Sequence, residues 1–458
     1  LKTLMKIAVL SVLAAGPVCA QDAPPQTLFT NVNVFDGVNE ALIENASVLV
    51  EGNKIKTVST GAVDAPDATV IDGGGRTITP GFVEAHAHFV LMGPSVPAME
   101  AQKTWEDFGI HASKMAEMYL MQGFTTVRDA GGANGGIRRA IDSGLIVGPR
   151  HYPSGAFIGT RGGHADFADF TSPPGAETNV GRLNISQQVN GPDDVLKFAR
   201  NNFRMGATQI KFMQSGGIIS AFDPFTLLAG SKEELEAAVQ AANEYGSYVM
   251  VHAYRKEAAM AALNAGVKSI EHNFGFDEEM AELMNEKGAY MTANLTAFDT
   301  SILEIPPVRD VPASLAKATA AMEMFKNLIP NLKKFPVKRG FNTDCIDTVV
   351  MCNIQIAYEK HLHAKYFSAY EGLVAMTSVG GEIVALSGDF MNPYPEGKIG
   401  VIEEGAYADL LLLDGNPLED FSVVGASDRW LDAEPRPDSP ESILIIMKDG
   451  VIYKNTLQ

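Results

Sequence analysis

Eight short apolar runs, spaced through the middle of the chain and separated by helix-like or loop segments, constrain the fold of these 458 residues more than any other feature. They lie at 78–89, 124–130, 150–158, 208–215, 248–254, 268–274, 289–296 and 339–345. Strand-like runs alternating with helical ones are the pattern of a parallel sheet or barrel. Eight is the number for a (β/α)8 TIM barrel, and a span of roughly 270 residues suits that fold's usual size of about 250. Helical patterning covers Ala112–Gln122, Asp193–Met205, Lys232–Tyr245, Lys256–Ala265 and Glu278–Glu286. Gly123, Gly206, Gly246, Gly266 and Gly288 follow these stretches, where a left-handed stop favours glycine.

The two ends read differently. Thr30–Phe35, Ala46–Val50 and Lys54–Val58 are short strands, with Glu51-Gly52-Asn53 as a hairpin turn, and strand patterning returns at Ala408–Asp414 and Ser442–Ile452. The expected architecture is therefore α/β, with a barrel over 78–397 and a discontinuous β-sandwich built from 21–77 and 398–458. Two connections stand out by length. Residues 159–191 follow the third run, and 298–337, with a helix around 312–328, follows the seventh; both would lie over the C-terminal mouth of a barrel, where active sites are built.

With 36 basic against 55 acidic residues the net charge is −19, which argues against a nucleic acid or an anionic membrane as partner, because both need a basic footprint. Lys2 and Lys6, the apolar stretch Ile7–Ala15 and the small-residue site Val18-Cys19-Ala20 read as a cleavable secretory signal over 1–20, so a periplasmic or secreted protein is expected. That leaves Cys345 and Cys352, which can pair in an oxidising compartment; two buried free thiols are the blander expectation.

Polar side chains on the apolar runs carry the chemistry. His86 and His88 stand at i and i+2 on the first run, on one face of a strand, where both imidazoles can reach one divalent cation. Lys211 sits in the fourth run, His252 ends the fifth, His272 the sixth and Asp344 the eighth. A lysine or aspartate inside a barrel is costly unless paired or bound to metal, so a shared site is the economical explanation. His361 and His363 repeat the spacing inside a probable helix (Ala357–Tyr366), where i and i+2 do not face each other, and are a decoy. His111 and His151 are read as structural.

Pro80-Gly81-Phe82-Val83-Glu84-Ala85-His86-Ala87-His88, Gly123-Phe124-Thr125-Thr126-Val127-Arg128-Asp129, Gly206 through Lys211 with Gly216-Gly217, Val251-His252-Ala253-Tyr254, Ile270-Glu271-His272, Asn342-Thr343-Asp344 and Gly405-Ala406-Tyr407-Ala408-Asp409-Leu410 together resemble the amidohydrolase superfamily of binuclear type. The resemblance is to the imidazolonepropionase-related group of Xaa-Pro and Xaa-Arg/Lys dipeptidases and carboxypeptidases. Asn342 departs from it, standing where relatives usually carry glycine.

The resemblance implies two divalent metal ions. One would be held by His86, His88 and Asp344, the other by His252 and His272, with Lys211 as a carbon dioxide carbamate between them. Such ligands suit zinc, with manganese or cobalt as alternatives. It also implies an activated water, Asp344 as proton shuttle, His164 at the substrate carbonyl or its tetrahedral oxyanion, and Tyr254 on the substrate. Arg161, Arg255 and Arg128 can each clamp a substrate carboxylate, although Arg128 can equally pair internally with Asp129.

The leading expectation is a secreted metal-dependent amidohydrolase of peptide bonds, a dipeptidase or carboxypeptidase for Xaa-Pro-like substrates, assembled as a homo-oligomer. A non-peptide amide, such as an N-acyl amino acid, an aryl amide or a toxin, is the alternative. A deaminase or cyclic-amide hydrolase on the same barrel is a further rival, disfavoured because Arg255 stands where those relatives carry glutamate and because Lys211 is present. A non-catalytic relative is disfavoured by the intact ligand set.

Overall fold

Capping chemistry sets the limits of the helices. Ser231 accepts from the Glu234 N–H while the Glu234 carboxylate accepts from the Ser231 N–H, opening the helix Lys232–Glu244. Asp277 caps Glu278–Lys287 by accepting from the Met280 N–H. At the other ends, Gly266 and Gly288 take φ of +107° and +59°, which terminates Lys256–Ala265 and Glu278–Lys287 in the left-handed conformation glycine adopts without strain.

The computed structural model describes residues 24–93, 99–101, 103–220 and 222–457. The expected signal segment 1–20 lies outside them. All eight expected runs contain strand, in an α/β arrangement with parallel sheets. Three strands, Phe82–Ala87, Phe124–Asp129 and Arg150–Tyr152, form one parallel sheet. Seven form the other, in the order Ser186–Val189, Phe157–Thr160, Ile210–Met213, Val249–Ala253, Ser269–His272, Tyr290–Thr292 and Arg339–Gly340. Backbone hydrogen bonds join the two: Ala85 N–H donates to Phe341 O at 3.0 Å, Asp344 N–H to His86 O at 3.1 Å, and Thr208 N–H to Pro153 O at 2.7 Å.

Two runs divide. In 78–89, Thr77–Pro80 pairs antiparallel with Leu410–Leu413, and only Phe82–Ala87 enters the parallel sheet. Gly81 permits the switch, because a Cβ there would lie 2.1 Å from Thr125 Oγ1. In 150–158, Arg150–Tyr152 and Phe157–Thr160 belong to different sheets. The connection 159–191 contains a strand of its own, for Ser186–Val189 returns as an edge strand beside Phe157–Thr160.

Strands from both ends of the chain share one eight-stranded sheet. Its order is Val451–Asn455, Ile443–Lys448, Leu410–Leu413, Thr77–Pro80, Gln26–Val34, Ile43–Glu51 and Lys54–Ser59, with Thr69–Asp72 pairing Gln26–Val34. The Glu51–Lys54 hairpin turns through Gly52 at φ +59° as the sequence demands.

The largest core cluster stacks Phe212, Val251, Ile270 and Met291 of the parallel sheet against Ala238, Ala241, Ala262 and Met284 of the surrounding helices. Small alanines let the helices approach, and each large buried side chain contributes about 1.5–3 kcal/mol. In the 298–337 connection the helix runs Pro312–Lys334, longer than expected and passing through Pro330. Its inward face includes Lys317, whose Nζ donates to Ser220 O at 2.8 Å in the loop after Ile210–Met213. Cys345 and Cys352 form a disulfide, which corrects the expectation of free thiols. Sequence separation alone does not say that the turn after Asp344 folds back onto the helix Val349–Tyr366. No helix among the described residues is long and apolar enough to cross a membrane.

Candidate metal centre

Six side chains carried by five of the runs meet in one buried cluster. His86 Nε2 and His88 Nε2 lie 3.5 and 3.2 Å from Asp344 Oδ1, and the donor atoms of these three residues fall within 4.8 Å of one another. Lys211 Nζ is 3.4 Å from His86 Nε2. His272 brings its ring to 5.0 Å from that of His86 and 4.7 Å from that of His252. Its Nδ1 is 3.9 Å from Asp344 Oδ2. Two of the six sit in strained backbone, His272 at φ +74° and Asp344 at φ +47°, a feature that concentrates at functional sites.

The imidazoles are pre-oriented. His88 Nδ1 donates to Gly131 O at 3.1 Å and His252 Nε2 to Gly216 O at 3.3 Å. A carbonyl can only accept, so His88 Nε2 and His252 Nδ1 keep their lone pairs. His86 Nδ1 donates to Glu271 Oε2 at 2.7 Å and His272 Nδ1 to Asn294 Oδ1 at 2.8 Å. Asn294 Nδ2 in turn donates to Asp344 Oδ2 at 3.4 Å, tying two strand ends together. Partners of this kind fix tautomer and ring angle in metal sites.

Glu271 is held by Arg128, whose Nη2 donates to both carboxylate oxygens at 3.0 and 2.9 Å. Arg128 is thus neither a substrate clamp nor the partner of Asp129. Asp129 instead accepts from Phe89 N–H at 2.9 Å and Gly131 N–H at 3.0 Å. Glu271 alternates with His272 along the strand, and a period of two would put it on the other face; the left-handed φ of His272 breaks that alternation. Glu84, also fully buried, accepts from the His86 and Thr343 N–H groups at 2.8 and 3.2 Å, linking the two ends that supply His86 and Asp344.

Burial dominates the electrostatics. It pushes His86 and His252 well below the usual imidazole range, and His272 down as well. These rings are neutral at pH 7, the form a metal requires. Burial also lowers Lys211 to about 8. Burial works to raise Asp344, yet the His88 hydrogen bond and the neighbouring rings hold it well below the carboxylate range. For Glu271 burial is likewise outweighed, chiefly by Arg128. Neutral imidazoles with aimed lone pairs, an ionised carboxylate and a lysine whose hydrogen bond is to His86 fit divalent cations.

Of the expected substrate residues, two border the cluster. Tyr254 places its ring 4.4 Å from His252 and stacks on Phe274 at 4.3 Å. His164 stacks on His252 at 4.2 Å and 24°, and burial lowers it to about 4. Arg161 is engaged in its own loop, donating to Ser172 O at 2.6 Å and Gln188 Oε1 at 3.3 Å. Arg255 is half-buried and pairs with Glu257 at 3.2 Å. His363 lies 3.4 Å from Glu359 in the helix Val349–Tyr366, away from the cluster, and His151 stacks on Phe89 at 4.7 Å.

With this geometry in view, the comparisons with known proteins are specific. Residues 77–432 match the amidohydrolase family, and the chain belongs to that family. A structurally characterised amidohydrolase is 32% identical with a TM-score of 0.83, over 94% of this chain and all of its own. A prolidase crystallised with N-methylphosphonate-L-proline is 31% identical with a TM-score of 0.82 over the same shares. In sequence, an ochratoxinase of Aspergillus niger is 29% identical over 351 residues, 73% of this chain and 66% of that protein's length.

Proposed function

We propose that this protein hydrolyses the amide bond of a dipeptide, or the last bond of a short peptide, and that the carboxylate of the departing residue is read by the site. The convergence of His86, His88 and Asp344 on one point, with Lys211 beside them, carries the reading. His86, His88 and Asp344 would hold one divalent cation, His252 and His272 a second, and Lys211, as a carbamate, would join them; zinc suits the donors. Such cations, when bound, supply an ionised water at neutral pH and polarise the scissile carbonyl.

The chain's own groups do the rest. Asp344 takes up the proton released on attack and returns it to the departing amine. His164 contacts the scissile carbonyl or its tetrahedral oxygen, and Tyr254, kept neutral by burial, donates to the substrate. Arg255, half-buried at the N-terminus of Lys256–Ala265, takes the carboxylate. Arg161, which also donates to Ser172 O and Gln188 Oε1, is the second candidate for that carboxylate.

The similarity to a prolidase supports an Xaa-Pro substrate, and the similarity to an ochratoxinase supports a second reading, a non-peptide amide. In the same proposal the eight runs close as the barrel of 78–397, with Arg150–Tyr152 and Phe157–Thr160 supplied by one run and Ser186–Val189 left as an extra edge strand, and the terminal strands form the sandwich of 21–77 and 398–458. The protein is exported after loss of 1–20 and works as a homo-oligomer.

Kinetics on matched Xaa-Pro, Xaa-Arg and Xaa-Phe dipeptides, free and amidated, test the reading. Cleavage of the free acids should far exceed that of the amides, with Xaa-Pro leading. Equal rates on free and amidated forms would overturn it and favour a simple amide hydrolase.

A further inference from the structure

Glu271 is fully buried and is held by more donors than its ion pair with Arg128 supplies. Ser269 Oγ donates to Oε1 at 2.5 Å, and Thr292 Oγ1 donates to Oε2, the same oxygen that accepts from His86 Nδ1. Thr292 is in turn reached by Asn342, the residue standing where relatives usually carry glycine. The parallel register pairs Glu271 with Thr292 and Thr292 with Gly340, which brings the three side chains together. Asn342 Nδ2 lies 3.1 Å from Thr292 Oγ1 and 3.2 Å from Thr292 O, and Asn342 and Thr292 are fully buried as well. A carbonyl can only accept, so the amide turns its NH2 edge toward Thr292, with one hydrogen for each oxygen. The hydroxyl accepts from Asn342 and has its own proton left for Glu271. Asn342 Oδ1 is buried with no hydrogen-bond partner among the described residues. An unpaired buried acceptor is costly, so what this side chain contributes is its two donors.

We propose that Asn342 is a positioning residue for His86, acting through Thr292 and Glu271 to aim the imidazole at the cation that His86, His88 and Asp344 would hold. This deepens the reading of that group as a metal site and rests on it. Asn342 donates to Thr292, Thr292 donates to Glu271, and Glu271 accepts from His86 Nδ1, which leaves His86 Nε2 with its lone pair toward the cluster. The amide fixes the hydroxyl rotor and polarises its O–H, and linked hydrogen bonds of this kind strengthen one another. The carboxylate plane on which His86 leans at 2.7 Å is thereby held from a third run of the sheet. His252 and His272 instead donate to neutral acceptors, Gly216 O and Asn294 Oδ1. The support is one-sided, and its loss should be felt at one of the two cation positions only.

The test titrates the metal-stripped parent, Asn342→Leu, Asn342→Gly, Thr292→Val and the pair Asn342→Leu/Thr292→Val with zinc against a chromophoric chelator. Asn342→Leu fills nearly the same space without donors. It should weaken one cation by about 3- to 10-fold, less than the roughly 10- to 100-fold typical of a ligand's direct partner, and leave the other unchanged. Asn342→Gly removes the donors without adding bulk and should match it, so the comparison stands even if leucine does not fit. Thr292→Val should weaken the same cation by about 10-fold, and the pair should lose no more than Thr292→Val alone. Crystals of Asn342→Gly soaked at limiting zinc should show the lost occupancy between His86, His88 and Asp344. A substitution acting only through fold stability would lower both affinities together. Equal losses at both positions, unchanged affinities, additive losses in the pair, or occupancy lost between His252 and His272 would each overturn the proposal and leave the metal site standing. A parent that takes up no divalent cation would overturn the proposal together with the reading on which it rests.

Discussion

Lys211 is where the proposed chemistry meets a single side chain. It is buried, hydrogen-bonded to His86, and lowered to about 8 by burial. A lysine so placed is costly unless it is neutral or modified. Lys211→Ala should lose metal and reduce activity by more than about 100-fold, beyond the roughly 10- to 100-fold typical of outer partners. Short carboxylic acids should restore part of both by supplying the missing bridge. Normal metal content and turnover without rescue would remove Lys211 from the site. The amine is free above its pKa, so uptake of divalent metal by the stripped protein with bicarbonate should rise as the pH passes about 8, as measured by metal analysis after desalting. At this scale the cluster was legible because each of its six members interrupts an apolar run. Its supports were not: Arg128 and Glu271 are 143 residues apart, and their pairing has no local signature.

Among elements, the turn after Asp344 is the most consequential. Asp344 holds a left-handed φ, and the next residue is cross-linked to the first turns of the helix Val349–Tyr366. The disulfide closes a short loop, and chain-entropy reasoning gives about 2–3 kcal/mol for one of this length. A Cys345→Ala/Cys352→Ala protein should be destabilised by that amount in denaturant titrations, and it should bind metal less tightly because Asp344 loses its tether. An unchanged midpoint would show that packing alone holds the turn. Helix ends were readable from the glycines that stop them, a local effect. The division of 78–89 between two sheets was not, because apolar run length does not reveal where Gly81 lets Thr125 approach.

For the molecule as a whole, pH stability follows from the buried rings. His86, His252 and His272 have folded pKa values below the unfolded value of about 6.5. The unfolded chain therefore binds more protons below that pH, and stability present above it is lost as the pH falls. Glu271, held below the carboxylate range, adds a loss of the same sign below about 4.3. The metal-free protein should accordingly show a lower urea midpoint at about pH 5 than at about pH 7.5, by an energy of about 1.4 kcal/mol for each unit lost per ring. An equal midpoint at both would mean that the rings are solvated.

Taken alone, the sequence determined the alternation of strands and helices, the glycine-ended helices, the β-rich termini and the six residues His86, His88, Lys211, His252, His272 and Asp344. Each of these is a periodicity or a chemical misfit readable within a few residues. Only the tertiary structure decided that Asn294 bridges His272 and Asp344, that Arg128 serves Glu271, that Cys345 pairs with Cys352, and that Asn342 reaches Glu271 through Thr292. Most of these contacts join residues far apart in the chain, and the disulfide, though local, depends on how the turn after Asp344 folds back. Their partners are chosen by which buried polar groups the packed sheets and loops leave unsatisfied, and that choice exists only once the chain has closed around them.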